Sequence, residues 1–97
     1  MLAINHAEYV GDYRIHLSFN DGRQGIADLE KTLFHDKRPI FSDLKKKSNF
    51  RAFKVDHGTI VWPNELDLAP EYLFYLVFKE DDNYREQFRQ WGYESAG

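Results

Sequence analysis

Positions 59 to 72 read Thr59-Ile60-Val61-Trp62-Pro63-Asn64-Glu65-Leu66-Asp67-Leu68-Ala69-Pro70-Glu71-Tyr72. This run joins a strand, a stop and a helix start. Trp62 closes an apolar strand, and Pro63 lacks the backbone donor that a continuing ladder needs, so the strand ends there or lies at an edge. Pro70 suits the first turn of a helix. No nucleophile, base or metal cluster accompanies the run, so it indicates a kind of protein and not a reaction.

Length and composition indicate one small domain. The chain has 97 residues, of which 42% are hydrophobic and 16% aromatic. A chain of this size buries roughly 60 to 65% of its unfolded surface, and this apolar share supplies a core and argues against disorder. We therefore expect residues 1–97 to form a single domain, with residues 80–97 as a C-terminal helical extension.

The chain has no cysteine, which excludes disulfides, thiolate zinc sites and thiol nucleophiles and is typical of a reducing compartment. The first six residues lack the basic leader and apolar stretch of a secretion signal. The longest apolar run, residues 72–78, is far shorter than the roughly 20 residues that cross a bilayer. We expect a cytoplasmic protein without a membrane span.

The charges are unevenly distributed along the chain. The formal net charge of -3 lowers the expectation of nucleic-acid binding, because such proteins gain affinity by neutralising phosphates. The middle of the chain is nevertheless basic, with a candidate patch formed by Lys45, Lys46, Lys47, Arg51 and Lys54. This patch is either a solvated face that serves solubility or a docking patch for an acidic partner or a nucleic-acid backbone.

The clearest strand covers residues 13–19, where apolar and polar side chains alternate. Residues 3–9 form its antiparallel partner. A two-residue loop between them would bury the carboxylate of Glu8, so we predict a three-residue loop that pairs Tyr9 with Tyr13. The polar face of this hairpin then carries His6, Glu8, Arg14 and His16.

The turn Asn20-Asp21-Gly22 predicts a second hairpin. Its outer strand covers residues 23–28 and completes a three-stranded meander. Gly25 in this strand marks a bulge or a close backbone approach. Asp28 is suited to cap a short helix over residues 29–33.

Further elements follow in the second half of the chain. Ser42 and Ser48 are plausible caps for helical pieces over residues 43–46 and 49–52. Residues 53–56 and 59–62 form another hairpin around His57-Gly58, which gives five strands. The apolar anchors of the helical pieces are Phe41, Leu44, Phe50 and Phe53.

Two helices complete the sequence. The first runs from Pro70 to about Lys79 and packs an apolar stripe with Leu73, Leu76 and Val77 on the sheet. The second carries Tyr84, Phe88 and Trp91 at positions i, i+4 and i+7 and ends at Gly92. The predicted fold class is α+β: an antiparallel three-stranded meander plus a second hairpin, with short helices and a C-terminal helix packed on the sheet.

This succession resembles the bacterial domain-of-unknown-function family DUF2442 over about residues 2 to 78. The resemblance is carried by the Asp21-Gly22 turn, by residues 25–29 and by Trp62-Pro63-Asn64 followed by residues 67–70. In that family a small residue or glycine usually follows the Trp-Pro-Asn motif, whereas this chain has Glu65. The resemblance implies a small α+β domain without an established activity. Some members carry an added helix-turn-helix segment, and others look like parts of two-gene modules of toxin-antitoxin type.

Catalytic chemistry has no candidate residue set in this sequence. The four histidines lack the spacing that places two imidazoles on one helix face, and turn and cap roles account for Asp21, Asp28 and Asp67. The serines lack a nucleophile-elbow context, and the glycines do not form a phosphate loop. We therefore expect no enzyme, no cofactor and no metal.

Two sets of residues are candidates for partner contacts. Trp62 either fills the core or forms a half-exposed hot spot with Asn64 beside it; in the first case the Asn64 side chain bonds its own turn. The second set is the apolar face of Tyr84, Phe88 and Trp91, which either docks within the chain or supports a homodimer.

The preferred functional hypothesis is a noncatalytic protein-interaction or regulatory module. It is antitoxin-like in the sense that it binds a neighbouring gene's product or itself, through an open sheet edge or the aromatic face. The alternative is a nucleic-acid-associated transcriptional regulator that uses the basic patch.

Overall fold

The computed structural model describes residues 1–94, so the last three residues of the predicted C-terminal extension lie outside the described residues. The strands are β1 Ile4–Tyr9, β2 Arg14–Phe19, β3 Gln24–Asp28, β4 Lys54–Asp56, β5 Thr59–Val61 and β6 Asp67–Leu68. The α-helices are α1 Glu30–His35, α2 Pro39–Ser42, α3 Lys47–Phe50, α4 Pro70–Phe78 and α5 Arg85–Trp91. Single 3₁₀ turns cover Asp43–Lys45 and Asp82–Tyr84. Within residues 1–94, no helix is long and apolar enough to cross a membrane.

The predicted meander is confirmed as an antiparallel sheet in the order β1-β2-β3. The predicted register of its first hairpin is wrong by two residues, because Tyr9 pairs with Ile15 and not with Tyr13. Tyr13 belongs to the turn and not to β2. Gly11 and Asp12 both adopt positive φ, and the Arg14 N–H closes the turn by donating to the Gly11 carbonyl at 2.9 Å. A two-residue shift keeps every side chain on its predicted face. The inner face of β2 is buried, and its outer face is polar.

Gly25 allows helix α4 to pack closely against β3. A Cβ built at Gly25 would lie 2.5 Å from Cγ1 of Val77. The predicted close approach is therefore confirmed, and the β2–β3 register is regular at Gly25, so the alternative of a bulge is wrong. This packing places Phe74 of α4 against Phe19, with ring centroids 5.3 Å apart.

The second hairpin is the beginning of a second sheet, in the order β4-β5-β6. Its first turn is the predicted His57-Gly58 pair, and both residues adopt positive φ. Pro63 ends β5 as predicted, but the chain folds straight back, because the Trp62 N–H donates to the Leu66 carbonyl at 2.9 Å. The prediction of five strands is wrong, since the returning chain adds β6. A two-residue strand is too short to give an alternating pattern.

The segment between the sheets is helical, with boundaries that differ from those predicted. Oδ1 of Asp28 accepts the Glu30 N–H at 3.0 Å, and α1 extends to His35. Ser48 lies inside α3, so its predicted cap role is wrong, and Ser42 makes no side-chain cap bond. The hydrophobic effect positions these short helices, because three of the predicted anchors are buried in the core. Those residues are Phe41, Leu44 and Phe50.

The last two helices pack on each other. Helix α4 begins with Pro70 at its first position, as predicted, and buries Leu73 and Phe74. Helix α5 ends at Gly92, which adopts the left-handed conformation at its C-cap. The side chain of Phe74 on α4 packs against that of Phe88 on α5, with ring centroids 5.9 Å apart. The aromatic positions of the last helix therefore dock within the chain.

Candidate interaction surfaces

Trp62 is a core residue, with 2% of its surface exposed. Its indole Nε1–H donates to the carbonyl of Phe50 at 2.8 Å, and its ring lies 6.0 Å from the Phe50 ring. A buried indole normally needs such a partner for its N–H. Trp62 thus ties α3 to the second sheet, and the half-exposed tryptophan of the hot-spot hypothesis is wrong.

Asn64 is half-buried and serves the turn after Trp62. Its Oδ1 accepts the Leu66 N–H at 3.1 Å, which is the local bond expected of asparagine in a turn. Its Nδ2 donates to the Ile40 carbonyl at 3.0 Å. The amide therefore joins the β5–β6 turn to helix α2, and its bonding capacity is largely used within the chain.

The aromatic face of the C-terminal extension is mostly covered. Phe88 is fully buried, whereas Tyr84 and Trp91 are half-buried. The guanidinium of Arg23 covers two of the rings, because its Cζ lies 4.3 Å from the ring centroid of Phe74 and 5.2 Å from that of Tyr84. This face packs intramolecularly, so it offers less apolar surface to a partner than its sequence pattern indicates.

The basic patch is built on aromatic rings from other parts of the chain. Three of its cations lie over rings: Arg51 over Tyr9 at 5.1 Å, Lys47 over Tyr13 at 5.7 Å and Lys45 over Phe34 at 5.1 Å. Tyr13 contacts Phe34 at 5.5 Å and Phe50 at 5.4 Å, and Tyr9 contacts Phe50 at 6.1 Å. Lys45, Lys47 and Arg51 thus follow a continuous series of rings, and we call them the basic row.

Hydrogen bonds hold the basic row in position. The Tyr13 hydroxyl donates to the Lys45 carbonyl, which links the first hairpin to the segment before α3. Nζ of Lys47 lies 3.3 Å from Oδ1 of Asp12, and this hydrogen bond raises the pKa of Lys47. Lys46 and Lys54 are exposed, at the N-cap of α3 and on β4 respectively. The sequence shows the cations but not their rings, because Tyr9, Tyr13 and Phe34 come from distant positions.

A groove of about 500 Å³ separates α1 from α4. The Thr32 and Tyr72 hydroxyls lie 2.6 Å apart across it, and burial raises the pKa of Tyr75 on its wall. Its charged lining consists of Asp28, Glu30, Lys31 and Lys79, and His35 lies beside them. Sequence reasoning missed this groove, because its two walls are about forty positions apart and neither contains a motif.

Two of the carboxylates assigned turn and cap roles, Asp21 and Asp28, have structural partners, whereas Asp67 lies in strand β6 opposite Val61, so its predicted turn or cap role is wrong. Arg23 hydrogen-bonds Asp21 and thereby holds the pKa of that carboxyl below its ordinary value of 3.8. Asp28 accepts the backbone N–H of Glu30. Among residues 1–94, no group of three or more histidine, aspartate or glutamate side chains is arranged to hold a metal ion.

Searches of curated proteins and of solved structures returned no match. A family model described as protein of unknown function (DUF2442) matches residues 4–79. The predicted resemblance is thereby confirmed over nearly the same range. Because this match covers more than half of the 97 residues, the chain belongs to the DUF2442 family.

Proposed function

We propose that the protein is a noncatalytic interaction module that binds an acidic segment of a protein partner through the basic row. The observation that carries the proposal is the placement of three cations over a continuous series of aromatic rings. A partner encoded by a neighbouring gene would correspond to the two-gene modules that some members of the family resemble. The absence of cysteine supports a cytoplasmic setting for this interaction.

The rings under the cations favour binding by reducing its entropic cost. A cation over an aromatic face gains about 0.5 to 1 kcal/mol at an exposed site. A free lysine or arginine side chain loses up to about 2 kcal/mol of conformational entropy when it is immobilised. Since Lys45, Lys47 and Arg51 already lie against rings, less of this freedom remains to be lost when an acidic segment binds.

Three features favour a protein over a nucleic acid as the partner. Asp12 lies 3.3 Å from Lys47 and 3.8 Å from Arg14, so a negative charge sits at the edge of the basic row. The whole chain also carries a net charge of -3, which repels an extended polyanion. Arg51 already lies over the Tyr9 ring at 5.1 Å, so this ring is less free to stack on bases, which is the usual aromatic contribution to single-strand binding.

The alternative remains a nucleic-acid-associated regulator that uses the same cations for phosphates. Each phosphate contact would give a salt dependence of binding, because neutralised phosphates release counterions. Retention of the wild-type protein on duplex DNA at about 150 mM salt, lost steeply as salt rises, would favour this alternative over a protein partner.

Co-purification from the native host tests the proposal. Three tagged proteins are compared: wild type, Lys47→Glu/Arg51→Glu in the basic row, and Arg85→Glu/Arg89→Glu on α5. The two variants change the net charge equally, and the α5 pair provides the matched control. We expect one protein to be enriched by the wild type and the control but lost from the basic-row variant. Equal recovery by both variants, or recovery of nothing at physiological salt, would contradict the proposal.

A further inference from the structure

Strand β3 has an open edge. It lies at the outside of the sheet β1-β2-β3. Two backbone hydrogen bonds, one just before and one just after β3, show which of its residues direct their backbone N–H and C=O groups toward β2. The Phe19 N–H donates to the Arg23 carbonyl and the Leu29 N–H donates to the Tyr13 carbonyl. Since inward and outward residues alternate along an antiparallel strand, Gly25 and Ala27 also bond toward β2.

The three remaining residues of β3 direct their backbone groups away from the sheet. These residues are Gln24, Ile26 and Asp28. Within residues 1–94, their outward N–H and C=O groups have no backbone partner. The Ile26 side chain stands 48% exposed on the outer face of the same strand. An uncovered edge of this kind is a template for pairing with another strand.

The sequence of β3 is self-complementary under two-fold pairing. An antiparallel pair centred on Ile26 sets Ile26 opposite Ile26 of a second copy, and Gln24 opposite Asp28 of that copy. All three are hydrogen-bonded pairs, in which the two opposed residues exchange two N–H···O=C bonds, so the interface has about six backbone hydrogen bonds. The two isoleucines would cover each other on the outer face, and each Asp28 carboxylate would face an amide instead of a like charge.

The groove between α1 and α4 adjoins this edge. Asp28 ends β3 and also lines the groove, and Tyr75 and Leu76 supply apolar wall. Its formally charged lining is balanced, with Lys31 and Lys79 against Asp28 and Glu30. A two-fold interface sets a surface against itself, so a neutral surface of mixed sign suits it, whereas the basic row would repel its own copy.

We propose that β3 pairs with β3 of a second copy of this chain, forming one continuous six-stranded antiparallel sheet across a two-fold axis. The partner is the same chain, and the interface is distinct from the basic row. Close packing of α4 under Gly25 keeps β3 in place at the edge, so the strand is presented in a conformation ready to pair.

An engineered cysteine tests the pairing directly, because the natural chain has none. The Cα atoms of two residues in a hydrogen-bonded antiparallel pair lie about 5.5 Å apart. This distance is within the roughly 4.4 to 6.8 Å between the Cα atoms of a disulfide. We expect Ile26→Cys to form an intermolecular disulfide roughly tenfold faster than Val55→Cys under mild oxidation, because paired thiols have a mM-scale effective concentration. Val55 is the control, since it is a strand residue that is 38% exposed. Equal rates for the two variants would overturn the proposal.

The mass in solution provides the second test. We expect wild type and Val55→Lys to sediment at micromolar concentration with twice the mass of the 11.5 kDa chain. Ile26→Lys would place two lysines opposite each other at the two-fold axis, so we expect this variant to sediment as a monomer with an unchanged circular dichroism spectrum. A wild-type protein that is monomeric at all concentrations, or a dimer that survives Ile26→Lys, would refute the β3 interface. If Ile26→Lys does not fold, the disulfide comparison decides.

Discussion

Replacing one hydrogen of Gly25 by a methyl group tests the packing of α4 on the sheet. The new Cβ would lie 2.5 Å from Cγ1 of Val77, well inside the roughly 3.5 to 4.0 Å of normal carbon contact. Overpacking of this kind costs about 1 to 3 kcal/mol, and loss of glycine's freedom in the unfolded chain offsets about 0.4 to 1 kcal/mol of that. We expect Gly25→Ala to lower the free energy of unfolding by about 1 to 2 kcal/mol.

A double-mutant cycle with Val77→Ala isolates this contact. Removing the Val77 methyl groups leaves its Cβ as the nearest atom, 3.9 Å from the new Cβ at Gly25, which is ordinary contact. In the Val77→Ala background we therefore expect Gly25→Ala to be neutral or to stabilise by up to about 1 kcal/mol. Urea unfolding of the four proteins, followed by tryptophan fluorescence, measures the coupling.

Equal effects of Gly25→Ala in the two backgrounds would refute a contact between Gly25 and Val77. If Gly25→Ala changes the free energy of unfolding equally in both backgrounds, to within about 0.5 kcal/mol, the two residues are independent. Helix α4 would then not lie against β3 at Gly25. Val77→Ala alone measures the stability lost with the methyl groups, and this loss cancels when the effects of Gly25→Ala in the two backgrounds are compared.

Three further changes have defined outcomes. Trp62→Phe leaves the Phe50 carbonyl without its indole donor, and urea unfolding should show a loss of about 1 to 3 kcal/mol. Glu65→Gly should stabilise by about 1 kcal/mol, because Glu65 has φ +72° and only glycine adopts that region without strain. The pKa of Asp21 is lowered by Arg23, so this pair stabilises the folded state above the ordinary pKa of 3.8 and its contribution is lost as pH falls below that value. The thermal midpoint of wild type should therefore fall more than that of Asp21→Asn between pH 5 and pH 2.5.

Each of these outcomes has a contrary result. An unchanged stability in Trp62→Phe would mean that the indole bond is absent. A destabilised Glu65→Gly would show that the glutamate side chain stabilises the turn by more than the backbone strain costs. Parallel acid profiles for wild type and Asp21→Asn would show that the Arg23 contact leaves the folded pKa of Asp21 at its ordinary value.

The faces of the first sheet could be predicted from sequence, but their exact pairing could not. Alternation along β2 gives the buried side directly, because strand side chains have a period of two. The register depends on how many residues the turn takes up, and Asp12 at positive φ has no distinctive sequence signal. Strand β6 was missed for a similar reason, since Glu65 occupies a left-handed turn position that glycine usually marks.

The candidate surfaces were predictable only in part. The run of lysines and Arg51 is visible in one short segment, whereas the rings that support it come from β1, the first turn and α1. The β3 edge and the groove beside it depend on tertiary arrangement in the same way. For Trp62, the sequence allows both a core role and a surface role, and burial by α3 and Phe53 decides between them.

Photocrosslinking from Lys46 in the native host tests the proposed docking surface most directly. Lys46 is exposed at the N-cap of α3, between two members of the basic row, so a benzophenone side chain there reaches a bound partner without removing a row cation. We expect one discrete adduct that protease removes and nuclease does not, and no such adduct from the same probe at Arg85. No adduct at position 46, or an adduct that nuclease removes, would contradict the proposal of an acidic protein partner.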